Sequence, residues 1–182
     1  DAVGRHGQVV KQIEGLNATA GIFPPGKEKD VSNEAGVARV EPDIIMQAAV
    51  MPDTNAHGKE QAGPSGASKA QPAQTTPWGI ERVKAPLAWP TSQGSSVSVC
   101  VIDTGIDLTH PDLQANIKGG YNAINTAKSA NDDNGHGTHV AGTIAALNNT
   151  IGVVGVSPLI NLLAVKVLSR NGTGCTLARL AK

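Results

Sequence analysis

An α/β fold, a parallel sheet flanked by helices and preceded by a small α+β segment, is what the sequence predicts. Three observations predict it. Residues 97–103 read VSVCVID, nearly continuous in apolar and β-branched side chains, as a strand covered on both faces of a parallel sheet must be. Residues 136–147 read HGTHVAGTIAAL and carry Val140, Ile144 and Leu147 at helical spacing. Residues 153–156 and 162–168 then return to short apolar runs. Strand, helix, strand in this order argues a parallel crossover.

Taken in chain order, the first zone is residues 1–51. Val9, Val10, Ile13 and Leu16 are placed to line one face of a short helix. Val37-Ala38-Arg39-Val40-Glu41 alternates as a half-buried strand would, and Pro42-Asp43 ends it. Such a small unit would be marginal alone. Residues 52–72 are rich in Gly, Pro and Ser, and their only apolar side chains are Ala. They cannot bury enough surface to offset ordering entropy, and they read as a flexible linker. The third zone, 73–182, holds the α/β pattern. After the strand at 97–103 comes a loop-and-turn region through Thr109-His110-Pro111-Asp112 and Gly119-Gly120. Asn134-Gly135 marks the start of the helix. Gly142 and Ala141, Ala145 and Ala146 make that helix slim enough to lie close to a sheet.

Composition narrows the function. Fifteen Lys and Arg balance fifteen Asp and Glu, which leaves no electrostatic footprint for nucleic acid or an anionic membrane. Aromatic residues are only 2% of the chain, so no stacking platform for bases is available. The apolar stretch 151–168 is broken by Pro158, Asn161 and Lys166 and is not a membrane span. Two cysteines exclude a disulfide-dense scaffold and a Cys-only zinc site. Cys100 is expected to be a buried small hydrophobe, and Cys175 to be exposed.

Two side chains stand where chemistry gathers. Asp103 ends the first strand, and the carboxyl edge of a parallel sheet is where catalytic groups collect. His136 stands in the first turn of the helix, where the positive end of the dipole disfavours imidazolium. A neutral imidazole is what a general base needs, and a carboxylate partner would fix its tautomer. Asp103 is the candidate partner. His136 and His139 also form H-x-x-H, but the glutamate of the H-E-x-x-H zinc motif is absent. Asp103-Thr104-Gly105 after an apolar strand reads equally as one half of an aspartic protease site, which would need a second copy of the chain.

Longer motifs decide between these readings. Val101-Ile102-Asp103-Thr104-Gly105-Ile106-Asp107 with Thr109-His110-Pro111-Asp112-Leu113 resembles the aspartate box of the subtilisin-like serine proteases. Asn134-Gly135-His136-Gly137-Thr138-His139-Val140-Ala141-Gly142-Thr143 resembles their histidine box, in the family's order and 33 residues on. The likeness runs from about residue 73 to 174. It implies that Asp103 orients His136 and that His136 takes the proton of a serine attacking a peptide carbonyl. It also implies a Ca²⁺ site: Asp112 and Gln74 resemble the carboxylate and amide ligands. Asn149 with the carbonyls of Leu147, Ile151 and Val153 resembles the calcium loop. Leu168 and Gly172-Thr173-Gly174 resemble the edge that pairs with an extended substrate. The first zone, through His6-Gly7, Gly15-Leu16-Asn17-Ala18 and Gly36 to Asp43, is similar to the inhibitory propeptide. The resemblance therefore implies a secreted zymogen acting on polypeptides as a monomer, its propeptide in the active-site cleft, with no nucleic-acid or membrane partner.

The sequence departs from the family in its missing serine box and in its tail, 175–182. Gly-Thr occurs before His139, Ile144 and Gly174, and never before Ser. The nucleophile and the oxyanion asparagine are expected beyond Lys182, a helix is expected over 175–182, and these residues alone are expected to be inactive. A non-catalytic inhibitor or pseudoenzyme is the alternative from another class.

Overall fold

The computed structural model describes residues 2–13, 16–48 and 71–175. The linker lies outside the described residues apart from Gln71 and Pro72. Residues 176–182 lie outside them too.

In the first zone, α1 (Ala2–His6) leads into β1 (Gln8–Ile13), which pairs antiparallel with β2 (Ala18–Ile22). The helix expected through Val9 and Ile13 is therefore a strand. Its burial alternates with period two, with Val9, Lys11 and Ile13 on the more buried face. Four apolar residues in eight suit either period, and hairpin pairing settles the choice. Short α2 (Glu28–Ser32) follows, packed by its one buried residue, Val31. Residues 37–41 form no strand: Val37 and Val40 are only half-buried, and Arg39 pairs with Glu41 at 3.1 Å. β3 (Ile45–Gln47) comes later and pairs antiparallel with β7 (Thr173–Cys175). Cys175 thus closes a strand instead of opening a helix.

The third zone opens with two short helices, α3 (Trp78–Arg82) and α4 (Ala85–Ala88). A three-stranded parallel sheet follows, in the order β4 (Ser98–Asp103), β6 (Asn161–Lys166), β5 (Ile117–Asn122). The α/β fold with a parallel sheet is present, and α5 (His136–Ala145) is the crossover helix between β5 and β6. β5 falls where a loop was expected. Gly119 and Gly120 have low strand propensity, yet a Cβ on Gly120 would meet the Ala164 carbonyl at 2.8 Å and Ala130 Cβ at 3.0 Å. Glycine there lets the edge strand lie close to its neighbours.

Residues 153–156 form no ladder strand. The N–H groups of Val153, Val154, Gly155 and Val156 go to four different partners: Asp112, Thr75, Ala146 and Thr143.

The core sits between the sheet and α5. It gathers Val101, Ile106, Leu113, Ala141, Ala145, Leu162 and Ala164, all buried. Gly137, Ala141 and Ala145 form the buried face of α5, four residues apart, while Val140 and Ile144 pack at its margin. Among the described residues the opposite face of the sheet is open. Cys100, Ile102 and Leu163 are exposed, which corrects the expectation that 97–103 and Cys100 are buried on both sides. Helix α5 covers one side only, and alternation sends Cys100 and Ile102 to the other.

Candidate active site

The site is built at the carboxyl ends of β4 and β6. Asp103 ends β4, and its main-chain carbonyl accepts from Val167 N–H at 2.9 Å and Leu168 N–H at 3.1 Å. Its carboxylate accepts from Thr104 N–H at 2.6 Å. Both carboxylate oxygens lie 2.9 Å from His136 Nδ1. Sequence reasoning paired these two side chains, and the structure brings them together. The pair is shielded on the Asp103 side, 13% exposed, and more open at His136, 30% exposed. With Nδ1 turned to the carboxylate, Nε2 is the ring nitrogen left for a substrate or nucleophile. Asp103 is thus engaged with an imidazole.

Helix α5 is placed by its first turn. The opening N–H groups of a helix lack intrahelical acceptors, and here each has one. His136 N–H donates to Asn134 Oδ1 at 3.1 Å, Gly137 N–H to Thr104 Oγ1 at 2.9 Å, and Thr138 N–H to Asp132 Oδ2 at 3.0 Å. His139 N–H then starts the ladder at Gly135 O. Gly135 has φ of 105°, in the left-handed region where glycine is favoured. Gly137 answers a different need. A Cβ there would run into the Gly105 carbonyl and lie 3.1 Å from Thr104 Oγ1. The histidine helix can therefore rest directly on the turn that carries Asp103.

Asp132 is the anchor that sequence reasoning missed. Besides Thr138 N–H, it accepts from Thr138 Oγ1 at 2.6 Å and from the N–H groups of Asn134 and Gly135, each at 3.0 Å. Burial alone would raise its carboxyl pKa. The hydrogen bonds from Thr138, Gly135, Asn134 and Thr104 outweigh that and hold it below the ordinary carboxylate value. Thr138 Oγ1 in turn accepts Asp107 N–H at 2.9 Å, which ties the histidine helix to the aspartate loop. The signal for this was present in Asp132-Asp133-Asn134-Gly135, a dense run of turn formers, but it read only as a helix start. Lys166 was missed as well. Apart from breaking a possible span it carried no reading, yet it is buried at the end of β6.

The six residues expected around a cation lie in one place. Asp112, 3% exposed, accepts from Asn149 Nδ2 at 2.8 Å and from Val153 N–H at 3.0 Å. Gln74 Nε2 donates to the Leu147 carbonyl at 2.7 Å and to the Val153 carbonyl at 3.3 Å. Ile151 N–H donates to Asn149 Oδ1 at 2.7 Å. The set offers a carboxylate, two amides and main-chain carbonyls, all oxygen ligands of the kind hard cations take. An amide NH₂ of Gln74 lies between two carbonyls, a place of negative potential. These residues fit calcium by donor chemistry. His139, by contrast, is exposed, and among the described residues no group of three or more His, Cys, Asp or Glu is placed to hold a metal ion.

The expected substrate edge is occupied by the chain itself. Ile45, Met46 and Gln47 of β3 pair with Cys175, Gly174 and Thr173 of β7, and Ala48 N–H donates to the Gly172 carbonyl at 2.7 Å. Leu168 stands apart from this pairing, buried beneath the Asp103 carbonyl. Asn134 joins the edge to the histidine helix, its Nδ2 donating to the Arg170 carbonyl at 2.8 Å.

A parallel α/β sheet with an aspartate–histidine pair at its carboxyl edge fits an incomplete subtilisin-like α/β fold. Residues 94–181 match the subtilase family model. Subtilisin Savinase of Lederbergia lenta is 59% identical over 103 residues, 56% of this chain and 37% of that protein. An alkaline protease of Shouchella clausii is 59% identical over 103 residues, 26% of its own length. Subtilisin E of Bacillus subtilis (strain 168) is 40% identical over 182 residues, 95% of this chain and 47% of that protein. Residues 94–181 therefore carry a segment of the subtilase family, and the chain spans half or less of the length of these curated relatives.

Proposed function

We propose that the protein to which these residues belong is a serine-type endopeptidase acting on polypeptides. The single observation that carries this reading is the Asp103–His136 pair, Nδ1 at 2.9 Å from both carboxylate oxygens. In this reading Nε2 of His136 removes the proton of a serine hydroxyl as it attacks a peptide carbonyl. Asp103, held by Thr104 N–H, stabilises the imidazolium that forms. His136 then returns the proton to the leaving amine. No serine in these 182 residues follows Gly-Thr, so the nucleophile belongs to sequence outside them.

Extended polypeptide would bind along residues 172–174 by strand pairing, and the β3–β7 ladder supports that use of the edge. Residues 1–51 act in this proposal as the propeptide, with β3 in the substrate's place until cleavage within the linker. Calcium would be held by Asp112, Gln74 and Asn149 with the carbonyls of Leu147, Ile151 and Val153. It would brace that loop and take no part in the reaction. Secretion belongs to the same reading. Among the described residues no helix is long and apolar enough to cross a membrane.

The test is labelling with a serine-directed fluorophosphonate. The protein carrying this sequence labels, and His136→Ala abolishes both the label and self-processing. Labelling that survives His136→Ala, or activity blocked by pepstatin, refutes the proposal. The β3–β7 ladder also favours a second reading, in which residues 1–51 inhibit another subtilase in trans. An inhibition assay against a purified subtilase separates the two.

A further inference from the structure

The mechanism above makes no use of the most deeply buried cation among the described residues. Lys166 ends β6 beside Asp103, its ladder partner in β4. Its side chain is only 6% exposed. Nζ donates to the main-chain carbonyl of Thr104 at 2.5 Å and to Asp133 Oδ1 at 2.6 Å. Burying an ammonium is costly unless its hydrogen bonds are made, and a leucine would fill the same place in a sheet without that cost.

The two acceptors explain the position. Thr104 is the residue that fixes the catalytic pair from both sides. Its N–H holds the Asp103 carboxylate, and its hydroxyl accepts Gly137 N–H from the histidine helix. Its carbonyl leads into Gly105, whose φ is 106°. Thr104 is itself fully buried, so this carbonyl cannot turn to water if Lys166 is removed. Asp133, 53% exposed, belongs to the loop that carries Asn134 and enters α5. One ammonium therefore grips the aspartate turn with one hydrogen bond and the histidine loop with another.

We infer that Lys166 is a positioning residue for the catalytic pair: its buried ammonium clamps the Thr104 turn to the Asp133 loop and thereby sets the Asp103–His136 contact. This rests on the reading of that pair as catalytic, but the geometry it predicts is measurable without catalysis. Loss of the ammonium by Lys166→Met leaves the Thr104 carbonyl without a donor. Asp133 can be rehydrated, and the Thr104 carbonyl cannot. The turn must shift, and the Thr104 N–H and Gly137 N–H bonds shift with it.

The experiment is nuclear magnetic resonance on the protein that carries this sequence, reading the His136 Nδ1–H that faces Asp103. The original sequence should show a slowly exchanging downfield proton from His136. In Lys166→Met that line should vanish. Amide exchange at Thr104 and Gly137 should accelerate tenfold or more, with exchange at Val101 and Ala145 unchanged. Lys166→Arg should restore the line at least in part. Asp133→Asn, an exposed change that tests the clamp even if Lys166→Met does not fold, should accelerate exchange at the same two amides by a smaller factor. Retention of the line and of both exchange rates in folded Lys166→Met overturns the inference. So does acceleration shared equally by Val101 and Ala145, which marks a general core role. If Lys166→Met does not fold, unchanged exchange in Asp133→Asn overturns it. Failure of the longer protein that carries this sequence to label with the fluorophosphonate, with these signals intact, would instead count against the proteolytic reading.

Discussion

One substitution made at two places on α5 should have opposite effects. Gly137→Ala and Gly142→Ala both replace a helical glycine, and helix propensity alone favours alanine by about 1 kcal/mol in each case. At Gly142 nothing lies within 4 Å of the added Cβ, so that gain should be realised. At Gly137 the Cβ meets the Gly105 carbonyl, Thr104 Oγ1 at 3.1 Å and Asp103 Cβ at 3.2 Å. Two of these are main chain or Cβ, which cannot swing aside. Overpacking of this kind costs about 1–3 kcal/mol. The shift also strains the Gly137 N–H to Thr104 bond, worth about 1 kcal/mol. The balance is a loss of about 2 kcal/mol, which for a chain of this length lowers Tm by about 4–8 °C. Gly142→Ala should raise Tm by about 2–4 °C. Thermal melts followed by far-ultraviolet circular dichroism read both. Stabilisation by Gly137→Ala would refute the claim that the histidine helix rests directly on the aspartate turn.

Other consequences can be checked in parallel. Asp132→Asn removes a charged acceptor from the donors of Thr138, Asn134, Gly135 and Thr104 and should cost about 2 kcal/mol near neutral pH, measured by urea denaturation. Because the Asp132 pKa lies below its usual 3.8 in the folded chain, its contribution is present above that pH and fades as pH falls further. Glu34 is held to about 2 by hydrogen bonds from Arg5 and His6. Its tie between α1 and the turn after α2 should therefore persist at pH 4.5 and be lost as pH falls towards about 2. Amide exchange in α1 at about pH 4.5 and about pH 2 tests this, and equal protection at both would contradict it. If calcium sits among Asp112, Gln74 and Asn149, EDTA should lower Tm in the original sequence and have little effect in Asp112→Asn. An identical melting curve with and without EDTA would remove calcium from the account.

The half of the fold that carries Asp103 and His136 was the more legible in sequence. An unbroken β-branched strand ending in Asp103 and a Gly-rich helix beginning at His136 leave few alternatives. The contact between them follows from the turn at Gly105 and the bare face at Gly137. The loops were less legible. Asp132 and Lys166 act through hydrogen bonds to partners 6 and 62 residues away, and no local period records such a bond. β5 escaped because close approach demanded glycines that propensity counts against a strand. Residues 153–156 misled in the other direction, apolar like a strand but with each N–H sent to a different place. In the first zone, short apolar runs fit helix and strand equally, and only the β1–β2 pairing distinguishes them.

The central claim is that Asp103 and His136 serve a serine encoded beyond Lys182. Reading the transcript through its 3′ end from the source cells tests it most directly. The account predicts an open frame that continues past Lys182 to a Gly-Thr-Ser sequence. A stop codon immediately after Lys182 would contradict it, and the inhibitory role of residues 1–51 would become the better explanation of the β3–β7 ladder.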